Sequence, residues 1–157
     1  MKKHSTRYIF ILLAGIVAFF ASCTPESCLD ETESFLKASF YSYTSKNVQI
    51  PDSLTVYGLG RDTSKIYAAV PAIKIARLPL NPANSFSDFV VRINGVSDTL
   101  MIRHYSYPHL ISKECGYTYY HNIYPDSLVF TRNTIVSVEI RNRIITTLDD
   151  ENIRIFY

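Results

Sequence analysis

Tryptophan is absent from this chain, and glycine is scarce, with five in 157 residues. Each shortage removes a class of function. Gly15, Gly58, Gly60, Gly95 and Gly116 are too scattered to build a phosphate-cradling loop. Gly58-x-Gly60 lacks both a third glycine and a following helix. No G-x-S-x-G elbow sets up a serine nucleophile, and no two carboxylates stand out as a glycosidase pair. A basic stripe is missing too. Of the 16 Lys and Arg residues, Lys2, Lys3 and Arg7 lie at the very start, so a chain beginning at Cys23 carries 13 basic against 14 acidic residues. That balance excludes nucleic acid as a partner.

What the chain does have begins with a leader. Lys2-Lys3-His4-Ser5-Thr6-Arg7 is a positive stretch, followed by the apolar run Tyr8–Phe20. Thirteen residues suit a signal-peptide core, whereas a spanning helix needs about 20. The run closes on Phe20-Ala21-Ser22-Cys23, which resembles a bacterial lipoprotein signal. In such signals the small residues fit a narrow peptidase site and the cysteine thiol takes a diacylglyceryl group. Phe20 stands where leucine is usual. The expectation is a signal peptide over 1–22, lipidation at Cys23 and a tether over 23–32; ordinary secretion or an uncut anchor are the alternatives. Acyl chains such as palmitate contribute about 0.8 kcal/mol per buried methylene. Thr24 rather than aspartate after the cysteine points to the outer membrane, with the periplasmic or surface leaflet left open.

With Cys23 assigned to lipid, Cys28 and Cys115 remain, an even count in an oxidising compartment. A disulfide between them is expected, closing a loop of 88 residues worth at most about 4–5 kcal/mol. The alternatives are a free structural thiol or a catalytic one. Glu114 beside Cys115 works against a thiolate.

The body, 33–157, reads as one all-β domain. Tyr (12) and Phe (9) are plentiful, and no apolar pattern of helical period persists beyond about two turns. Strand-like runs are Glu33–Thr44, Leu54–Leu59, Lys65–Val70, Ile73–Leu80, Tyr117–Ile123, Ser127–Thr131, Ile135–Arg141 and Ile153–Tyr157. The hairpin Ser87–Tyr105 is the clearest element. Phe89, Val91 and Ile93 share a face, and Asn94-Gly95 supplies a tight turn. Val96, Leu100 and Ile102 return on that face, with Asp98 as the exception, one that a longer loop from Asn94 to Asp98 would remove. The expectation is an antiparallel two-sheet sandwich of about eight strands, with a small β-barrel as the alternative.

The double-lysine leader, the cysteine ending the signal, a second cysteine soon after, Leu78–Pro82 (LPLNP), Ser112–Tyr119 (SKECGYTY) and Glu151–Tyr157 (ENIRIFY) occur together. In these the chain resembles a family of small uncharacterised bacterial lipoproteins defined by a domain of unknown function. The resemblance spans nearly the whole chain, and its sharpest marks are Cys28, Cys115, Gly116 and the C-terminal strand. It implies export and lipid anchoring, and no activity.

Candidate chemistry is sparse. His104, His109 and His121 could in principle hold zinc, but neither strand nor helix spacing brings them together, and they read as solvent or hydrogen-bonded loop residues. Asp149-Asp150-Glu151 lacks the alternating spacing of a calcium loop and reads as a solvated turn. No metal, cofactor or catalytic residue is assigned. Tyr105, Tyr107, Tyr117 and Tyr119 form the candidate binding face, since an exposed tyrosine offers an apolar body with a polar tip; packing within the sandwich is the alternative. The function expected is that of a membrane-anchored, non-catalytic binding or assembly module with an envelope protein or glycan partner. A small hydrolase using loop His and carboxylate groups, or a purely structural envelope subunit, are the alternatives.

Overall fold

The computed structural model describes residues 28–157, so the signal peptide expected over 1–22, the lipidation expected at Cys23 and most of the expected tether lie outside the described residues. Ten strands form two sheets. The smaller has the order β4-β1-β10-β8, from Ile75–Pro79, Phe35–Tyr41, Ile153–Phe156 and Ser137–Ile140. The larger has the order β3-β2-β5-β6-β7-β9, from Lys65–Val70, Leu54–Gly58, Phe86–Ile93, Val96–Ser112, Gly116–Phe130 and Ile144–Ile145. The all-β sandwich expected from the sequence is what forms, with one of the two sheets curled into a half-barrel.

Alternation builds the core. Leu36, Ala38 and Phe40 of β1 and Ile153 and Ile155 of β10 meet Phe89, Val91 and Ile93 of β5 and Leu100 and Ile102 of β6, all buried. β1 and β10 run parallel, Ala38 beside Ile153, so the first and last strands form the centre of the small sheet, a departure from the purely antiparallel pairing expected. No turn chemistry announces such a pairing of distant strands.

At the turn, Asn94 and Gly95 both have positive φ, 48° and 91°, and Ile93 pairs directly with Val96. The two-residue turn therefore holds, and Asp98 does face the core, contrary to the longer loop. Its carboxylate is 2% exposed and accepts four hydrogen bonds. Oδ1 takes the Thr131 hydroxyl (2.6 Å) and the Asn133 N–H (2.8 Å); Oδ2 takes the N–H groups of Thr134 (2.8 Å) and Ile135 (2.9 Å). The segment held in this way is the one by which the chain leaves β7 for the other sheet. Burial alone would raise the Asp98 pKa, but these donors outweigh it and hold the carboxyl below its ordinary value.

β6 and β7 are longer than expected. The sequence runs Tyr117–Ile123 and Ser127–Thr131 join into one strand through an irregularity at Pro125-Asp126, with Asp126 at φ 53°. β6 pairs with β5 only as far as Arg103, yet continues against β7 to Ser112. Beyond the sandwich the two strands form a two-stranded arm. Pro108 lies inside β6 at no cost to the ladder. The His104 N–H turns toward β5, reaching Ser85 O at 3.0 Å, so two and four residues on, the nitrogens of Ser106 and Pro108 face the unpaired edge.

Cys28 and Cys115 are disulfide-bonded, with Cα atoms 4.8 Å apart. The bridge ties the start of the described chain to the arm's tip. Between them, the Ser34 hydroxyl donates to Tyr119 O on β7.

The four donors around Asp98 yield a stability prediction. Asp98→Ala should cost about 3–5 kcal/mol in urea unfolding, because buried N–H groups are left unpaired. Asp98→Asn should also destabilise, since its NH₂ would face backbone donors. A loss under about 1 kcal/mol for both would refute the carboxylate's structural role.

Candidate functional site

The outer face of the six-stranded sheet carries the candidate site. Residues opposite one another in an antiparallel pair share a face, and along the arm Tyr105 opposes Asn122, Tyr107 opposes Tyr120, and His109 opposes Thr118. The result is a continuous aromatic band. Tyr124 and Tyr105 have ring centroids 5.6 Å apart, Tyr105 and Tyr107 6.1 Å, and Tyr107 and Tyr120 6.2 Å. His109 stacks on Tyr120 at 4.1 Å. Asn122 Nδ2 donates to the Tyr105 hydroxyl at 3.1 Å, fixing that ring in the band.

At the foot of the arm the band opens into a shallow depression of about 610 Å³, lined by Ser85, Phe86, Asp88, Met101, Arg103, Tyr124, Pro125, Asp126, Ser127 and Val129. The irregularity in β7 makes it. The Ser127 hydroxyl donates to Tyr124 O and Arg103 O, pinning the bulged segment. Arg103 is exposed and forms no ion pair with another described residue, so its guanidinium is free to meet a ligand, with the carboxylates of Asp88 and Asp126 nearby. On the β9 side a smaller depression, about 390 Å³, is lined by Asn122, Ile140, Arg141, Asn142, Arg143 and Ile144.

The structure divides the four tyrosines of the candidate face. Tyr105 and Tyr107 lie in the outer band, whereas Tyr117 opposes Leu110 and Tyr119 opposes Pro108 on the inner side of the arm. Register decides this, because an odd residue of β6 meets an even residue of β7. All four are solvent-exposed, Tyr117 the most at 73%. Tyr120, Tyr124 and His109 complete the outer band in place of the other two. The one sequence signal of the depression around Arg103 is Pro125-Asp126, set between two strand-like runs.

The histidines also separate. All three are strand residues rather than loop residues: His109 stands on the outer band, while His104 and His121 are 0% and 2% exposed. Their rings meet edge to face at 5.4 Å at the root of the arm. A hydrogen-bond chain satisfies them. Asn81 N–H donates to Ser87 Oγ (2.9 Å), which lies 2.9 Å from His104 Nε2; Ser106 Oγ lies 3.5 Å from His104 Nδ1 and 2.8 Å from His121 Nδ1. Two neutral imidazoles complete this chain without a donor conflict. Glu114, the carboxylate nearest Cys115 in sequence, sits in the turn at the arm's tip, so His104, His109 and Glu114 occupy three separate places. Among the described residues no three His, Cys, Asp or Glu side chains gather closely enough to hold a metal ion.

Two further polar groups lie on the outer side of the small sheet, under the loop before β10. Lys37, 3% exposed, donates to Leu148 O and lies 3.8 Å from Asp149. Burial lowers its pKa. Glu151 accepts the Tyr41 hydroxyl (2.9 Å) and Arg154 Nε (2.7 Å). The acidic run is thus a strap across β1 rather than a merely solvated turn.

A family model matches residues 53–157, from the residue before β2 through the last strand, and it describes a family of unknown function (DUF6452). The chain belongs to this family. The match takes in Cys115, the arm and the aromatic band, while β1 and Cys28 lie before it. No curated protein and no solved structure matches the chain.

The buried imidazoles dictate an acid response. Burial, then the neighbouring His104, lowers the His121 pKa from 6.5 to about 4, and burial lowers that of His104. The unfolded chain therefore binds protons that the folded one refuses. The His121 contribution is complete above about pH 6.5 and is lost as pH falls toward 4, and His104 acts in the same direction. Urea unfolding should show stability dropping by about 3 kcal/mol across that window, and His121→Gln should flatten the profile. An unchanged profile in that variant would refute the assignment.

Proposed function

We propose that this chain is an exported lipoprotein, fastened to the outer membrane through a lipid on Cys23. Its domain acts as a non-catalytic module that binds a glycan of the cell envelope along the outer aromatic band. One observation carries the binding role: the unbroken sequence Tyr124–Tyr105–Tyr107–Tyr120–His109 leads directly into the depression holding Arg103, Asp88 and Asp126. Tyrosine rings offer apolar surface to the C–H faces of sugar rings, and their hydroxyls, the guanidinium and the carboxylates can exchange hydrogen bonds with sugar hydroxyls. The open, shallow shape suits a chain laid across the sheet, with nothing folded over it to exclude water.

A glycan is favoured over an added peptide strand because the unpaired edge of β6 is interrupted by Pro108, which has no N–H to give. The lipid anchor is supported by the leader and by the cysteine that closes it.

Two measurements test these claims. Mass spectrometry should find diacylglyceryl on the N-terminal peptide, and Cys23→Ala should abolish it; unchanged lipid incorporation would sink the anchor. Envelope glycan captured by the protein should bind at least about tenfold more weakly to a Tyr105→Ala/Tyr107→Ala double variant, two stacking contacts at about 1 kcal/mol each. Equal retention by the double variant would refute the band as the binding surface.

A further inference from the structure

The arm's inner face and tip have no role in glycan binding, yet they expose apolar surface. Leu110 is 47% exposed, Tyr117 opposite it 73%, and Tyr119 49%. Leu29, next to the disulfide, is 92% exposed. Two constraints say what lies nearby. The bridge fixes Cys28 to Cys115 at the tip, Cα to Cα 4.8 Å. Cys23 precedes Cys28 by five residues, a length that reaches about 18 Å at full extension. A lipid on Cys23 therefore keeps the tip within about that distance of the bilayer surface.

We propose that the tip of the β6–β7 arm is a membrane-docking surface, seating Tyr117, Leu110 and Leu29 among the headgroups of a phospholipid bilayer. The inference rests on lipidation of Cys23. Tyrosine suits this boundary, where its ring meets hydrocarbon and its hydroxyl stays wet. A contact of this size is too small to hold a free protein. Beside an anchor it becomes intramolecular, and a weak local affinity is enough. The charges around the tip are Lys113 against Glu114, Asp30, Glu31 and Glu33, so apolar contact rather than attraction to anionic lipid drives the docking. The domain then stands on the membrane at the tip instead of swinging on its tether. Arg103 lies about nine residues, or about 30 Å, along β6 from Ser112, which holds the depression around it clear of the bilayer, while the His109 end of the band lies beside the tip.

The absence of tryptophan makes the test clean. Tyr117→Trp and, at the far end of β1 from the tether, Tyr43→Trp each give the full-length lipidated protein a single reporter. Tyr43 is 47% exposed, so both replacements leave the core untouched, and Leu110→Trp is a second reporter at the tip. In phosphatidylcholine vesicles with brominated acyl chains, emission from the two tip reporters should shift to the blue and be quenched at least twofold, while that from Tyr43→Trp stays unquenched. Equal quenching, or none, at tip and far end overturns the proposal. A blue shift without quenching would place the tip against protein and overturn it as well. If the N-terminal peptide carries no lipid, the anchor and the docking fall together; lipid present with an unquenched tip refutes the docking alone.

Discussion

The structure turns on a mismatch of length. β5 has eight residues, while its neighbours β6 and β7 have 17 and 15. The paired portion packs into the sandwich, and the excess must leave it as a two-stranded arm with both faces open to solvent. An isolated hairpin is marginally stable, so the arm needs fastening at both ends. The disulfide and the Ser34 contact hold its tip and flank. At its root the buried His104–Ser106–His121 layer sits where the apolar core stops. The aromatic band, the depression below it and the exposed tip all follow from the same overhang.

Buried polar groups do most of the specifying. Asp98, the two histidines and Lys37 are taken out of water in places where an apolar residue would also fit the pattern. Each is satisfied by partners distant in sequence, which ties the loops that cross between sheets to definite strands. Such a network is costly when half-made and rigid when complete. A register slip by one residue would expose the core and strand the Asp98 carboxylate among apolar side chains.

Much of the fold was legible in the residues. The period-two pattern of Phe89, Val91 and Ile93, the turn at Asn94-Gly95, and the last strand at Ile153 all appear where local chemistry places them. Less visible were the continuity of β7 through Pro125-Asp126, the two-residue strand β9, and the parallel pairing of β1 with β10. These depend on neighbours and not on local preference. Asp98 looked like a misplaced residue because its four donors come from Thr131–Ile135, more than 30 positions away. The aromatic cluster was visible as composition, but not as a surface.

By itself, the sequence determined the all-β class and the turn that starts the long hairpin, because these depend on neighbouring residues; with three cysteines in the chain, the pairing of Cys28 with Cys115 is seen in the structure. Tertiary structure alone decided which tyrosines stand together. Tyr105 and Tyr107 join Tyr120 and Tyr124 on one side of the arm, and Tyr117 and Tyr119 fall on the other. Alternation sorts side chains within one strand. Only the register between two strands says which alternate set faces which.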